Sequence, residues 1–593
     1  YKLNVAKLGN FVWEDYTGDG LQNAGEPGIN GVTVQLTWAG LDGDIDATDD
    51  NRTYEVVTGS NSPALGQLAD GQYYFCGLIG GEDYKITVLT PSDMTPAEAN
   101  QGDDELDSDG LIMDDVNGAP ILDMVMTEVI SLPDDVTTLI EAEAGLTDEG
   151  TDGVGTFPDG QVDETYDFAF NSVDYGDLPD GYLTTLEDDG ARHIIQPDKY
   201  LGTCVDAERE GAPNNEAGLY NGGDDGTPST RTQGTCTEPG DDENGVEFPT
   251  PLVPGYEACI DVTYTAEDVL PLLDRDGNVY LAAWIDFNGN NAFEANERVE
   301  FTTIDGAAIT GSDINVALAN GTGVTVQLCF TVPGDATFAE GAVRSRFRLN
   351  CEAVPTDVTS DGLLVGGEVE DYWIPVAKVG QYTWFDNDLN GDQMFTDAPN
   401  TGVHDDEVGV NGVDFVLIWK GADGIMGTDD DRKYLKTSGT GPTTEGEDGI
   451  YYFCGLQEGS FQIVPLKYAN PDNTGMNQVV GEDGTVYDIT DPDDVIINDG
   501  VNPPVSTPRY SLTPERKILT RPNDAGDDEE DSDGEPGLMF MIPDLVTGAL
   551  VTGENGNGDV PTVYDYPDTR TDLTIDFGWV QEPNVEVLQR IVG

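Results

Sequence analysis

Residues 9–36 read GNFVWEDYTGDGLQNAGEPGINGVTVQL, and they decide the fold of the chain around them. Residues 32–38 (VTVQLTW) alternate apolar with polar side chains and are rich in β-branched residues, as a half-buried strand is. Residues 15–26 are mostly acidic, amide and glycine residues, which are typical of a turn or loop. The stretch therefore predicts a strand preceded by an acidic loop.

The composition of the whole chain supports a series of β domains. As a rough prior, 593 residues correspond to about four domains. Hydrophobic residues make up 38% and aromatic residues 8%, which is enough apolar side chain for several cores. The 73 Gly and 34 Pro favour short strands joined by turns.

The charge of the chain excludes several partners. With 25 Lys+Arg and 115 Asp+Glu, the formal net charge is 25 − 115 = −90. Nucleic-acid binding needs a basic face that displaces counterions, and an anionic membrane surface repels such a chain. No run of 18 apolar residues is present, so no transmembrane segment is predicted. The chain opens at Tyr1 without a signal sequence, and we expect it to be a mature, secreted form.

An internal repeat divides the chain. Blocks of the first part recur in the same order after residue 376: AKLGNFVW (6–13) as AKVGQYTW (377–384), GQYYFCGL (71–78) as GIYYFCGL (449–456), and GDDELDSDG (102–110) as GDDEEDSDG (526–534). We predict an all-β fold of three Ig-like β-sandwich domains in tandem, with long acidic calcium-binding loops. The predicted bounds are 1–175, 176–376 and 377–582, followed by a C-terminal tail or linking strand at 583–593.

Each predicted domain resembles a known family. The outer two resemble the B-type (SdrD-B-like) domains of serine–aspartate-repeat bacterial surface proteins, on residues 9–36 and on NQGDDELDSDGL at 100–111. The middle one resembles the GEVED domain, whose motif stands at 367–371, with DYGDLPD at 174–180. The resemblance implies secreted or surface-attached bacterial proteins, Ig-like sandwiches, structural calcium and no catalytic activity.

The acidic loops are the candidate functional sites. In residues 15–26, oxygen-bearing groups recur at loop positions 1, 3, 5, 7, 9 and 12, with Gly20 at position 6 for a sharp turn. Ca²⁺ takes six to eight hard oxygen ligands, and a carboxylate at position 12 can supply two of them. The predicted ligands are Asp15, Thr17, Asp19, the carbonyl of Leu21, Asn23 and Glu26.

Two further loops carry a related pattern. In the middle domain the predicted ligands are Asp286, Asn288, Asn290, Ala292 and Glu297, and Asn291 replaces the glycine because Asn tolerates a left-handed backbone. In the third domain they are Asp386, Asp388, Asn390 and Asp392, closed by Asp397, the twelfth residue, or by Glu407, which aligns with Glu26.

Other acidic clusters recur in both outer domains. Carboxylates this dense repel one another unless a cation lies between them, so we predict several Ca²⁺ ions in all. The first cluster is Asp42, Asp44, Asp46, Asp49 and Asp50, with Asp423, Asp429, Asp430 and Asp431 as its counterpart. The second is Asp103, Asp104, Asp107 and Asp109, with Asp527, Asp528, Asp531 and Asp533. Acidic residues at 241–243 and 368–371 are further candidates.

The seven cysteines fit a compartment that permits disulfides, and none forms a C-x-x-C pair. The disulfide candidates are Cys204, Cys236, Cys259, Cys329 and Cys351. Cys204 is predicted to pair with Cys236, and Cys259 with either Cys329 or Cys351. Cys76 and Cys454 occupy the same repeat position, and we predict that both are buried thiols.

The motif inventory does not predict an enzyme. His193 and His404 have no repeated partner, and the chain lacks a nucleophile elbow, a P-loop and a dinucleotide fingerprint. We expect a non-enzymatic extracellular rod, stiffened by calcium, that self-assembles head to tail into a surface filament, so that its partners are other copies of itself. The apolar tail at 584–593 fits either a strand added to a neighbouring copy or a linker. The alternative function is a monomeric adhesin or stalk that presents a ligand-binding tip, for a ligand the sequence does not identify.

Overall fold

The fold is all-β, as predicted, in this computed structural model. The described residues are 5–45, 50–59, 61–62, 66–102, 106–114, 120–134, 136, 161–197, 199–208, 211, 231–235, 242–267, 278–309, 316–338, 342–350, 358–380, 382–385, 409–425, 428, 430–439, 448–466, 478–480, 486–488, 517–519, 538–542, 571–572 and 577–581. Within these ranges, no helix has the length and apolar character needed to cross a bilayer.

The first unit is a sandwich of two β layers. Its strands are β1 (Ala6–Leu8), β2 (Val12–Glu14), β3 (Thr33–Trp38), β4 (Arg52–Val57), β5 (Asn61–Ser62), β6 (Gly66–Gln67), β7 (Phe75–Leu78), β8 (Asp83–Leu89), β9 (Thr95–Pro96), β10 (Leu111–Asp114), β11 (Pro120–Met126), β12 (Ile130–Ser131), β13 (Val162–Asp163) and β14 (Phe168–Asn171). One layer has the order β10-β11-β8-β3-β4, and the other consists of β13-β1-β7 and β2-β14-β9. Because successive side chains alternate between faces, Val34, Leu36, Ile86 and Val88 meet Phe168 in the core.

The middle unit packs two larger sheets face to face. Its strands are β15 (Val173–Tyr175), β16 (Arg192–Ile194), β17 (Lys199–Leu201), β18 (Cys204–Asp206), β19 (Thr232–Gly234), β20 (Val246–Glu247), β21 (Glu257–Ala266), β22 (Asn278–Ile285), β23 (Phe301–Ile304), β24 (Ala307–Ala308), β25 (Val316–Ala319), β26 (Gly321–Thr331), β27 (Ala342–Asn350), β28 (Leu363–Val365) and β29 (Glu368–Pro375). The order β17-β21-β26-β23-β24 forms one sheet and β25-β22-β27-β29 the other. Ile260 and Leu328 of the first sheet share a core with Leu281 and Phe347 of the second.

Two details of the middle unit refine the sequence interpretation. Strand β15 precedes the predicted boundary at 175 but pairs with β16, so the middle fold includes residues 173–175. Cys259 and Cys329 lie directly opposite each other on β21 and β26 and form a disulfide, which selects between the two partners left open for Cys259. Cys204 is also disulfide-bonded. Cys236 and Cys351 lie outside the described residues, so the predicted Cys204–Cys236 pairing stays a prediction.

The third unit repeats strand pairings of the first. Its strands are β30 (Ala377–Val379), β31 (Thr383–Phe385), β32 (Asp414–Trp419), β33 (Arg432–Thr437), β34 (Phe453–Leu456), β35 (Gly459–Leu466), β36 (Gln478–Val480), β37 (Val486–Asp488), β38 (Lys517–Leu519), β39 (Leu538–Ile542), β40 (Thr571–Asp572) and β41 (Phe577–Gln581). Strand β30 pairs antiparallel with β34 and parallel with β40, as β1 does with β7 and β13. Phe415, Leu417, Phe461 and Ile463 form its core.

The repeated cysteines differ in environment, and the prediction of two buried thiols is wrong for one of them. Cys454 on β34 is buried and belongs to the core cluster of the middle unit. Cys76 on β7 is a free, exposed thiol. The difference arises because the middle unit covers β34, a contact that the local sequence cannot encode.

Candidate metal sites

The first acidic loop folds around Asp15, which is fully buried. Its Oδ1 accepts the backbone N–H of Gly18 at 2.7 Å, and its Oδ2 accepts that of Gly20 at 2.9 Å. Glu26 folds back onto the loop, where its Oε1 accepts the backbone N–H of Tyr16 at 3.0 Å and its Oε2 accepts that of Asn23 at 2.8 Å. Positions 1, 9 and 12 of the predicted pattern are therefore adjacent.

The remaining predicted ligands of this loop converge on one point, occupied by the Nδ2 of Asn23. That nitrogen lies 2.9 Å from Oγ1 of Thr17, 3.0 and 3.1 Å from the two carboxylate oxygens of Asp19, and 3.2 Å from the carbonyl oxygen of Leu21. An amide nitrogen carries two protons, fewer than the four oxygens that face it. The oxygens are thus arranged as a hard cation would require, and the donor set suits Ca²⁺.

The electrostatics of the loop agree with that arrangement. Burial, with a smaller contribution from the nearby charge of Asp15, raises the pKa of Glu26 to about 7, against hydrogen bonds from the backbone. Two carboxylates in a partly buried loop repel each other, and a divalent cation between them would remove that repulsion.

The loop of the middle unit has the same form. Asp286 is buried, its Oδ1 accepts the N–H of Gly289 at 2.6 Å, and its Oδ2 accepts that of Asn291 at 3.0 Å. Asn291 has a φ of 66°, close to the 70° of Gly20 at the same loop position. Burial, together with the side-chain hydrogen bond that Glu297 donates to Glu294, raises the pKa of the buried Glu297 to about 8.

Glu294 is a candidate ligand that sequence reasoning missed in this loop. It occupies position 9, which Asn23 fills in the first loop. Its Oε2 accepts from the Nδ2 of Asn288 at 2.9 Å, and its Oε1 accepts from the Nδ2 of Asn290. The signal was present in the spacing, because position 9 is a ligand position of the same pattern.

The first loop also lies at the junction of two units. The Nε2 of Gln196 donates to the carbonyl oxygen of Tyr16 at 3.2 Å, and Gly18 fits so closely against Ile194 that an added Cβ would overlap the Ile194 side chain. Glu14, just before the loop, forms a 3.3 Å ion pair with Arg231. The loop is therefore part of the contact between the first and middle units.

The middle loop lies close to the second junction. Phe287 of that loop packs against Phe338 with ring centroids 6.2 Å apart, and Phe338 reaches Gly455 of the third unit. The N–H of Leu252 donates to the carbonyl oxygen of Gly455 at 2.8 Å. Tyr256 of the middle unit packs edge-on against Tyr434 of the third unit, with centroids 5.2 Å apart.

The other predicted clusters are less convergent where they are described. Asp50 accepts the N–H of Leu41 at 2.7 Å, and Asp42 that of Asp44 at 3.0 Å, so these carboxylates shape an exposed loop. In the third unit, Thr428 donates to Asp430 at 2.7 Å and to Asp423 at 3.4 Å. Asp431 follows Asp430, at the start of β33.

Asp107 and Asp109 point in different directions. Asp107 accepts the N–H of Gly102 at 2.8 Å and lies in a bridge with Leu21 of the first loop. Asp109 accepts the N–H of Asp167 at 2.8 Å, just before β14. The remaining predicted ligands lie outside the described residues: Asp46, Asp49, Asp103, Asp104, Asp386, Asp388, Asn390, Asp392, Asp397, Glu407, Asp429, Asp527, Asp528, Asp531 and Asp533.

Comparison with known families supports two of the three resemblances. Residues 6–127 match the SdrD B-like domain, and residues 280–375 match the GEVED domain. A second SdrD-B-like domain at 377–582 stays a prediction.

The curated relatives are much longer than this chain. Serine-aspartate repeat-containing protein D of Staphylococcus aureus strain Newman is 26% identical over 530 residues, which are 83% of this chain and 33% of that protein. Serine-aspartate repeat-containing protein C of strain N315 is 41% identical over 106 residues, 18% of this chain and 9% of that protein. The chain thus spans about a third, or less, of these relatives' length.

Solved structures with partial similarity are pilins. The major pilin SpaA of Corynebacterium diphtheriae is 11% identical, with a TM-score of 0.24, over 78% of this chain and 91% of that one. BcpA, the major pilin subunit of Bacillus cereus, is 12% identical, with a TM-score of 0.20, over 82% and 92%. TM-scores this low carry no functional information.

Proposed function

We propose that this chain is a non-enzymatic structural segment of a secreted or surface-attached protein, in which Ca²⁺ locks the units into a rod. In this proposal two SdrD-B-like units flank a GEVED-type unit. The observation that carries the proposal is the position of the first acidic loop, whose ligand pattern converges and whose Gly18 is seated against Ile194 of the next unit.

The chemistry of the ion would be structural. Asp15, Thr17, Asp19, Asn23 and Glu26, with the carbonyl of Leu21, would hold it as oxygen ligands. Without the ion, repulsion between the carboxylates loosens the loop, and the contact that the loop makes with the middle unit loosens with it. Calcium therefore restricts the angle between units and the motion of one unit relative to the next, in addition to stabilising a single unit.

We further propose head-to-tail self-assembly through the edge of β7. In the third unit the equivalent edge is covered, because Gly455 of β34 bonds to Leu252. In the first unit, none of the described residues has an atom within 4 Å of the Cβ position of Gly77, and Ile79 is 47% exposed. The proposed occupant is the C-terminal end of a second copy, a contact that does not close on itself and so gives a fibre.

Negative-stain electron microscopy tests this proposal. Long filaments are expected in calcium, and Ile79→Asp is expected to shorten or abolish them by placing a charge in the contact. Ile112→Asp is the matched control, because Ile112 is 40% exposed on β10 of the same unit. Single short rods from the unmutated chain in both calcium and chelator would contradict the filament.

One observation favours the alternative, a stalk segment. The relatives extend well beyond the region that this chain matches. In that case the same calcium-locked rod would hold a ligand-binding tip away from the cell. Rods that stiffen in calcium without lengthening into filaments would support the stalk over the filament.

A further inference from the structure

A second set of carboxylates is buried inside the middle unit, beside the outer edge of β29. Glu368 and Glu370 are two residues apart on this strand, so both point to the same side, and both are 0% exposed. Glu368 accepts the backbone N–H of Leu201. Glu370 accepts the backbone N–H of Gly245 at 2.7 Å. Two segments distant in sequence are thereby held against β29.

Further acidic side chains approach the same edge. Asp174 accepts the N–H of Val369 at 2.7 Å, between the two glutamates. The N–H of Asp206 donates to Asp242 at 2.9 Å. Carboxylate oxygens of Asp206 and Asp242, with one of Glu208, all lie within 4.8 Å of one another.

Some carboxylate oxygens in this region are buried and have no hydrogen-bond partner among the residues that the structure describes. They are Oε1 of Glu368, Oε2 of Glu243 and Oδ2 of Asp177. A buried carboxylate oxygen without a donor costs the full desolvation of that group, and more when the group is charged. Unpartnered carboxylate oxygens grouped in this way indicate a bound cation, because a cation supplies positive charge without donating hydrogen bonds.

The neighbouring arginines do not donate hydrogen bonds to these oxygens, although the charge of Arg346 acts on Asp177. Arg346 donates to both oxygens of Asp371, each at 2.8 Å, and directs its remaining nitrogen to backbone carbonyls. Arg348 uses its Nε for His193, and its other two nitrogens for the carbonyls of loop residues. The hydrogen bonds of both guanidinium groups therefore go to Asp371, His193 and backbone carbonyls.

The carboxyls also repel one another strongly. Burial, followed by the nearby charge of Asp206, raises the pKa of Asp242 to about 7. Burial raises the pKa of Glu370 to about 8, with Asp242 adding to the shift. The pKa values of Glu243 and Glu368 are raised well above their ordinary value, by burial first and then by neighbouring carboxylates.

We propose that this cluster binds one divalent cation, Ca²⁺, through the converging carboxylate oxygens of Asp206, Glu208 and Asp242 and those of Asp174, Glu243 and Glu368 beside them. The donors are all hard oxygens, which suit Ca²⁺ better than a softer transition metal. The ion joins the first strand of the middle unit, β15, to its last, β29, through the residues between them. The site is separate from the acidic loops and goes beyond the proposed rod function.

The substitution Glu243→Gln tests the site, because its effect on the melting temperature should differ between calcium and chelator. If the ion binds, the variant loses a ligand, and its melting temperature in calcium falls below that of the unmutated chain. In chelator the amide removes one repelling charge, so the variant melts at the same temperature or higher. Glu247→Gln, an exposed neighbour on β20, is the control and leaves both temperatures unchanged. Equal or higher stability of Glu243→Gln in calcium would overturn the proposal.

A metal count provides a second readout that does not depend on melting. The full chain, dialysed against calcium-depleted buffer, is analysed for bound calcium beside Glu243→Gln and Glu26→Gln. The expected result is the loss of one ion from each variant, and of two from the double variant. An unchanged count in Glu243→Gln overturns the buried site, whereas an unchanged count in Glu26→Gln contradicts the loop site and leaves the buried site standing.

Discussion

Gly18 of the first acidic loop and Ile194 of the middle unit fit together so closely that a Cβ added at Gly18 would lie 2.4 Å from Cδ1 of Ile194, and that side chain would have to shift. Gly18 also has a φ of 65°, a conformation that L side chains rarely adopt. The same residue thus closes the turn around Asp15, which accepts its N–H, and seats the loop on the neighbouring unit. A ligand that orders this loop also orders the junction.

Substitution at Gly18 is expected to weaken the junction as well as the loop. Gly18→Ala introduces the strain of positive φ, about 1–2 kcal/mol, plus the overlap with Ile194. Gly31→Ala is the matched control, because Gly31 has a φ of 84° and open space at its Cβ position. We expect a larger fall in melting temperature, and faster proteolysis between the units, for Gly18→Ala. Equal effects of the two variants would show that the contact with Ile194 contributes nothing.

The second junction depends on the hydroxyl of Tyr256. It donates to the carbonyl oxygen of Leu435 at 3.2 Å and accepts the N–H of the same residue at 2.6 Å. Tyr256→Phe leaves these groups of β33 without that partner, and we expect a loss of about 1–3 kcal/mol in the free energy of unfolding. Tyr54→Phe, at a 51% exposed position, is expected to change it by less than about 0.5 kcal/mol. Denaturant unfolding monitored by fluorescence measures both.

Because His193 is buried as a neutral imidazole, we expect the chain to lose stability in acid. Its Nε2 accepts from the Nε of Arg348 at 3.1 Å, and its Nδ1 lies 3.1 Å from the carbonyl oxygen of Gly366. Burial, and then the charge of Arg348, hold the pKa of this imidazole well below 6.5. As the pH falls, position 193 therefore binds a proton in the unfolded chain before it does so in the folded chain. The stabilisation is present above about pH 6.5, and below this pH the free energy of unfolding falls by up to about 1.4 kcal/mol per pH unit.

The variant His193→Gln isolates this contribution. The amide can accept from Arg348 and donate to Gly366 without titrating, and every carboxyl group is the same in both proteins. Between pH 7 and pH 5, the melting temperature of the unmutated chain is expected to fall relative to that of the variant. A constant difference between the two across this range would contradict the prediction.

The two repeated cysteines are expected to react differently with a maleimide. Cys76 is exposed, whereas Cys454 is covered by the middle unit, so the folded chain should be labelled at Cys76 and not at Cys454. Burial of part of the side chain raises the pKa of the Cys76 thiol, so labelling is slow near neutral pH and faster in mild alkali. Preformed filaments should protect Cys76, and full reactivity in filaments would place the contact elsewhere.

Features that depend on the spacing of nearby residues could be predicted from the sequence. The ligand pattern from Asp15 to Glu26 converges in space because twelve consecutive residues define the loop. Glu294 was missed although the same pattern contains it at position 9. The exposure of Cys76 and the buried carboxylates around Glu368 depend on contacts between segments far apart in the chain. The local sequence around Cys76 and Cys454 is the same, so it predicted the same buried environment for both. That prediction is wrong for Cys76.

In the proposed function, calcium bound in the first loop fixes the angle between the first and middle units. Spin labels on the native Cys76 and on a cysteine introduced at exposed Glu247, in these two units, allow the distance between them to be measured by electron–electron double resonance. We expect a narrow distance distribution in calcium, a broad one in chelator, and a broad one in both for Glu26→Gln. A distribution of the same width in calcium and in chelator for the unmutated chain would contradict the claim.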